Sequence, residues 1–271
     1  MSQIKSSSRL GFNYSVGLFA VGAFLILSFC GSVFGLIGSF VLGLVEPHES
    51  SSVTTFSDFA VAYSDTENPD VVLSDQLGPI SWWPVVPVNN FEKTDDQGWP
   101  SGKEEDSVGE IRRSILDGNY RWFMTFEGEG YWIAVPDGLD PMTDFYVTVD
   151  GFRANGPVDT GFGLVFRYAD SENYYDFQVN DNFEYSIGIT RNGDRKMIVG
   201  WSPSEALATE TYNWLTVVGR GDQFFFFIND RFVYDLEDKN FPAGQVGVFA
   251  GLDYAAKNVN IYFRNFEIRT P

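Results

Sequence analysis

Phe162-Gly163-Leu164-Val165-Phe166-Arg167-Tyr168, the turn Asp170-Ser171-Glu172-Asn173, Tyr175-Asp176-Phe177-Gln178-Val179, and Phe183-Glu184-Tyr185-Ser186-Ile187-Gly188-Ile189-Thr190 decide the fold. These are short runs, largely alternating and broken by turn signals, the pattern of a sandwich or barrel. Asn192-Gly193, which follows, is the strongest short hairpin signal in the chain. Upstream, Phe145-Tyr146-Val147-Thr148-Val149-Asp150 alternates strictly. Downstream come Trp214 to Val218, Phe224 to Ile228, Phe232 to Leu236, Val246 to Ala250 and Val259 to Ile268, with Asn229-Asp230 as a second hairpin turn. Consecutive antiparallel strands with one apolar face each imply two stacked sheets over residues 89–271.

Composition agrees. Aromatics make up 17% of the 271 residues, with 26 Phe and 13 Tyr, and aromatic side chains suit a pleated, half-buried surface. The single Cys30 excludes an intramolecular disulfide, and roughly 180 residues supply enough core without one. A β-domain outside the cytoplasm with no disulfide and no Asn-x-Ser/Thr sequon after residue 46 points to a bacterial surface. All 37 acids follow residue 45, and the net charge is −19. Such a surface repels phosphate backbones, so nucleic acid is not an expected partner.

Residues 10–45 carry no charge and are mostly apolar beyond Val16, more than the about 20 residues that span a bilayer. Lys5 and Arg9 precede the run and Glu46 and Glu49 follow it, which places residues 1–9 in the cytoplasm and the rest outside. A cleaved signal peptide ending near Val33-Phe34-Gly35 is the alternative, and the length of the run favours an uncleaved signal-anchor in the cell membrane. Leu27-Ser28-Phe29-Cys30 makes a poor lipoprotein box, with Phe29 where a small residue belongs. Gly31, Gly35, Ser39 and Gly43 share one helix face, a spacing suited to self-association or docking beside another membrane helix, although Gly is common in such helices anyway. Residues 46–88 hold seven acids and no Lys or Arg and form a linker. At its end Trp82-Trp83, flanked by Pro84, is expected to dock on the sandwich, with the membrane interface or a partner as alternatives.

Asn90-Phe91, Gly98-Trp99-Pro100, the run 162–168, Asn173-Tyr174-Tyr175, Trp214 with Val217, Phe226-Phe227-Ile228-Asn229-Asp230, Gly244 to Ala250 and Asn265-Phe266 together resemble the concanavalin A-like lectin/glucanase superfamily. The likeness is greatest to laminin-G-like jelly rolls and 3-keto-disaccharide hydrolase-type sandwiches. It covers residues 90–270 and rests on turns, core aromatics and the last strand, which mark fold rather than activity. It implies a jelly-roll sandwich, and the anchored whole reads as a lectin-like binding or adhesion module for glycans or a surface protein. A structural subunit of a membrane or cell-surface assembly and a glycan-cleaving hydrolase are the alternatives.

Alternation turns Phe145, Val147 and Val149 inward and leaves Tyr146, Thr148 and Asp150 outside. It puts Tyr174, Asp176 and Gln178 on one face, Glu184, Ser186 and Thr190 on one face, and Arg167 out of phase with Phe166 and Tyr168. Tyr146, Asp150, Arg167, Tyr174, Asp176 and Gln178 are therefore the candidate ligand-binding residues; an ordinary solvated sheet face is the competing reading. With His48 in the linker and Cys30 in the span, the sandwich holds no His or Cys for a triad or zinc site. The glucanase motif Glu-x-Asp-x-x-Glu is missing; Glu127-Gly128-Glu129 is the nearest carboxylate pair, and its glycines suggest a loop. No cofactor is expected beyond calcium, which laminin-G-like domains often bind. Asp95-Asp96, Glu104-Glu105-Asp106 and Asp235 to Asp238 are acidic clusters without ligand spacing, so no metal site is assigned. Arg220-Gly221-Asp222 reads as a hairpin turn rather than an integrin tripeptide.

Overall fold

A computed structural model describes residues 80–92 and 98–271. The expected span, its stripe Gly31, Gly35, Ser39 and Gly43, the linker up to residue 79 and Asp95-Asp96 lie outside the described residues. No helix among the described residues is long and apolar enough to cross a membrane. A 3-10 turn at Ile80–Trp82 precedes β1 (Gly102–Glu105), β2 (Gly109–Leu116), β3 (Asn119–Phe126), β4 (Gly130–Ala134), β5 (Phe145–Asn155), β6 (Gly161–Asp170) and β7 (Asn173–Asn180). There follow β8 (Glu184–Arg191), β9 (Asp194–Pro203), β10 (Asn213–Arg220), β11 (Gln223–Ile228), β12 (Arg231–Glu237), β13 (Gln245–Leu252) and β14 (Ala256–Arg269). They build an antiparallel two-sheet sandwich, with an eight-stranded sheet in the order β1-β2-β3-β14-β5-β10-β11-β12 and a six-stranded sheet in the order β4-β13-β6-β7-β8-β9.

Turn chemistry places the hairpins where the sequence puts them. Asn192 and Gly193 take φ of 50° and 77° between β8 and β9, and Asn229 and Asp230 take 50° and 62° between β11 and β12. Two consecutive residues with positive φ match the right-handed twist of the flanking strands. Gly221, at φ 57°, occupies the turn between β10 and β11, so Arg220-Gly221-Asp222 serves as a hairpin.

The core lies between the sheets. Phe145, Val147 and Val149 of β5 face Phe162, Leu164 and Phe166 of β6, with Tyr175, Phe177, Phe224 and Phe226 completing a fully buried aromatic layer. Phe166 stacks on Tyr175 at 5.1 Å between centroids, and Phe177 meets Phe226 edge-on at 5.1 Å. Such pairs add about 1 kcal/mol each beyond the area they bury.

Ile80 and Trp83 cover Val218, Phe225, Phe227, Tyr146 and Phe232 on the outer face of the eight-stranded sheet. Val86 N–H donates to the Ile268 carbonyl at 2.9 Å, and Arg269 Nη1 donates to the Ser81 carbonyl at 3.0 Å. Residues 80–88, assigned to the end of the 46–88 linker, thus lie along the sandwich because the apolar outer face needs a cover. Trp83 docks there as expected, whereas Trp82 is 81% exposed. A fragment starting at residue 89 is expected to be less stable than one starting at residue 80 by about 2 kcal/mol, roughly one buried apolar side chain. Chemical denaturation of both fragments checks this.

Candidate functional site

On the six-stranded sheet, the side chains that alternation turns away from the core form a continuous outer face. Tyr131 and Ile133 from β4, Val135 just beyond it, Phe249 from β13, Val165 and Tyr168 from β6 and Tyr174 from β7 make its apolar part. Asp176 and Gln178 from β7, and Ser186, Gly188 and Thr190 from β8, make its polar part. Asp176 and Ser186 are fully buried and Gln178 and Thr190 nearly so. Gln178 Nε2 donates to Asp176 Oδ1 at 3.2 Å.

Arg195, from β9 at one edge of the sheet, crosses this face. Its Nη2 and Nε donate to Asp176 Oδ1 and Oδ2 at 2.6 and 3.2 Å, a two-point clamp across the intervening β8. Gly188 makes the crossing sterically feasible: a Cβ there would fall 2.4 Å from Asp176 Oδ2 and 2.8 Å from Arg195 Nη2. The guanidinium then lies 4.7 Å from the ring centroid of Tyr131, which belongs to β4 at the opposite edge. In a flat sheet six strands spaced at about 4.8 Å would hold those edges about 24 Å apart. The contact therefore requires a sheet curled around this face, which makes it concave.

Burial pushes the Asp176 carboxyl above the usual carboxylate range, against the pull of the Arg195 guanidinium. For Arg195, burial alone would lower the pKa, but the facing carboxylate outweighs it and the group stays above its ordinary value. Burial also raises the Tyr131 and Tyr174 phenols.

The Arg195–Tyr131 contact is a ridge with a groove on each side. One groove, about 550 Å³, is walled by Trp201, Met197 and Tyr254, with Gln178 and Asn180 on its floor and Glu129, Asp159, Glu184 and Asp253 around it. Its floor is narrow in side chains: a Cβ on Gly161 would lie 1.8 Å from Gln178 Oε1, and one on Gly251 2.3 Å from Tyr131 Cδ1. The second groove, about 830 Å³, runs over Ile133, Val135, Tyr168, Tyr174 and Thr190. Ser186 Oγ is buried and has no hydrogen-bond partner among the described residues. Since Tyr185 and Ile187 point into the core, Ser186 points to the groove side, where it pairs in register with Gln178. A polar ring-stacking ligand would find aromatic walls and fixed hydrogen-bonding groups in these grooves.

Of the six residues expected from sequence, Tyr174, Asp176 and Gln178 come together on this face. Tyr146 and Asp150 lie on the outer face of the other sheet. Tyr146 joins the apolar patch beneath Ile80 and Trp83, and Asp150 accepts bonds from Arg264 Nε at 3.0 Å and Asn265 Nδ2 at 2.8 Å. Arg167 corrects the expectation of an outward side chain. It sits in a bulge of β6 at φ 50°, is fully buried, and donates to main-chain carbonyls inside the sandwich. The positive φ breaks the alternation and turns the side chain inward. Glu129 borders the first groove, while Glu127 lies outside its lining, in the β3–β4 loop, where its N–H donates to the Val108 carbonyl at 3.0 Å. Glu104 is paired with Arg113 at 2.9 Å, and Asp238 accepts from the Tyr175 hydroxyl at 2.5 Å. Burial alone would raise Asp238, and that hydroxyl with Asn240 holds it below the ordinary carboxylate value. Among the described residues no three His, Cys, Asp or Glu gather as a metal site.

Sequence reasoning missed Arg195, Trp201, Tyr131 and Tyr254. Arg195 was findable: counting outward from the Asn192-Gly193 turn pairs Thr190 with Arg195, which puts it on the face already identified. Trp201 was not, because register shifts between β8 and β9 break the alternation that would have placed it.

No family model matches the chain, and no curated protein matches it in sequence. Several solved structures are similar to it. A carbohydrate-binding module from Bacillus subtilis is 20% identical, with 64% of this chain and 96% of that one covered and a TM-score of 0.44. A Bacillus subtilis protein of unknown function with a galectin-like fold is 13% identical over 68% and 95% of the two chains, with a TM-score of 0.48. The catalytic domain of a laminarinase from Thermotoga petrophila is 7% identical over 69% and 98%, with a TM-score of 0.49. The observed sandwich and the concanavalin A-like resemblance read from the sequence agree at the level of fold.

Proposed function

We propose that the protein is a glycan-binding module, held outside the cytoplasm by its N-terminal span, and that the concave face of the six-stranded sheet is its binding surface. The observation that carries this reading is the groove beside Arg195, where Trp201 and Tyr254 stand over a floor of Gln178, Asn180 and glycines. Sugars stack their C–H faces on aromatic rings and exchange hydrogen bonds at their edges, and this groove offers both kinds of contact. Asp176 and Arg195 act as scaffold, since each is occupied by the other.

Full-length protein in detergent micelles, screened on an array of neutral and charged glycans, tests the reading. Selective binding is expected, and Trp201→Ala is expected to weaken it about tenfold or more while leaving the melting temperature within a few degrees, because Trp201 is only half-buried. Binding that survives Trp201→Ala unchanged would remove the groove from consideration.

A further inference from the structure

On the far side of the Arg195–Tyr131 ridge, the larger groove has a neutral floor of Ile133, Val135, Tyr168, Tyr174 and Thr190. Both arginines along it already hold carboxylates, Arg113 that of Glu104 at 2.9 Å and Arg195 that of Asp176 at 2.6 Å. Thr190 stands apart from the rest of the floor. It pairs in register with Tyr174 of β7 and Arg195 of β9, on the side of β8 turned away from the core residues Ile187 and Ile189. It is 3% exposed, yet its Oγ1 is buried with no hydrogen-bond partner among the described residues. A buried hydroxyl left in that state costs stability, and this one lines an open groove rather than the core. The Tyr174 phenol stands beside it: burial raises that phenol, and the Thr190 hydroxyl pulls the other way. Were the two to close a hydrogen bond, one of their two protons would still lack an acceptor.

We infer that the larger groove receives the acetamido group of an N-acetylhexosamine, with its amide against the Thr190 and Tyr174 hydroxyls and its methyl over the neighbouring aromatic floor. The inference rests on the glycan-binding reading above and names a sugar class for it. The amide carbonyl accepts the proton that the hydroxyl pair cannot place, and the amide N–H donates to the second hydroxyl oxygen. The methyl covers the floor at the Tyr168 and Tyr174 rings, whose centroids are 6.2 Å apart. A plain sugar hydroxyl would meet the two hydroxyls and leave that floor uncovered. A deoxy-sugar methyl would cover the floor and leave the spare proton unpaired.

The test is calorimetric titration of the full-length protein in detergent micelles with hexamers of N-acetylglucosamine and of glucose that share one linkage and differ only in the acetamido group. The acetylated hexamer is expected to bind about tenfold tighter, the effect of one buried methyl and one neutral hydrogen bond. Since both ligands are uncharged, the preference should hold as salt is raised. Thr190→Val/Tyr174→Phe is expected to bring the two hexamers to within about threefold of each other. Thr190→Ser, which keeps the hydroxyl, should retain the preference. The melting temperature of Thr190→Val is expected to stay level or rise, because the hydroxyl removed makes no bond in the free protein. A clear fall would mark that hydroxyl as structural and overturn the inference. So would glucose binding as tightly as N-acetylglucosamine, or a preference that survives the double variant. Binding of neither hexamer also overturns it, and the glycan-binding reading falls with it only when the glycan array is blank as well.

Discussion

Arg167→Met is expected to cost about 3–5 kcal/mol of stability, enough to lower the melting temperature by about 10 °C in a domain of this size. The guanidinium is fully buried, lies 5.1 Å from the Phe224 ring and 5.7 Å from the Phe145 ring, and is surrounded by main-chain acceptors. Nη1 donates to the Phe241 carbonyl at 3.0 Å and to that of Pro242; Nη2 donates to Thr143 at 2.5 Å and Gly221 at 2.6 Å. Those carbonyls belong to the approach to β5, the β10–β11 turn and the β12–β13 loop, so one side chain ties three loops together at one end of the sandwich. Burial lowers its pKa, with Tyr175, Asp144 and Asp222 pulling the other way. Met fills similar space but leaves the carbonyls without donors, at about 1–3 kcal/mol for each that water does not reach. Lys does little better, since a single ammonium cannot reproduce the planar fork. Thermal unfolding followed by near-ultraviolet circular dichroism measures the loss. A change of less than about 2 °C would mean that water replaces the guanidinium at no cost.

Arg195→Met carries the second large effect, and its signature is pH dependence. Removing the base leaves Asp176 fully buried without its partner, which costs about 3–5 kcal/mol at neutral pH. Burial already pushes that carboxyl upward in the intact protein, against Arg195, and the variant loses the opposing pull. A carboxyl whose folded pKa exceeds its unfolded value binds more protons when folded, so stability is greatest below the unfolded pKa and falls as pH rises through the folded one. The variant is therefore expected to be more stable, relative to wild type, at about pH 4.5 than at about pH 8. Adding Asp176→Asn should recover part of the loss at pH 8 and remove the pH dependence. Urea denaturation at the two pH values, in single and double variants, measures both effects. A single variant with no pH dependence would place water, rather than Arg195, as the group that stabilises the carboxylate.

These two arginines mark where the sequence was legible. Strands with an unbroken period of two, such as β5, β7 and β8, were readable together with their inward residues, and the hairpins at Asn192-Gly193 and Asn229-Asp230 followed from turn chemistry alone. The strands β1 to β4 were not read. β1 is exposed throughout, and β2 to β4 bury every second residue but with residue types that blur the pattern: Arg113 is on the buried side, lodged 5.3 Å from the Trp122 ring and 5.7 Å from the Trp132 ring, while Leu116 and Phe123 are exposed. Half of the expected ligand set lies on one face because Tyr174, Asp176 and Gln178 obey alternation on one strand. Arg167 left that set because a bulge reversed its direction, and Tyr146 and Asp150 because they belong to the other sheet. Which strands share a sheet depends on long-range pairing, such as β13 between β4 and β6, and local periodicity carries no record of it.

The most direct measurement is amide hydrogen–deuterium exchange of the full-length protein with and without its best array ligand. Binding on the concave face predicts added protection in β4, in β9 around Arg195 to Trp201 and in the 253–254 loop, with the outer face of the eight-stranded sheet unchanged. Protection confined to that outer face, around Tyr146 and Trp83, would contradict it.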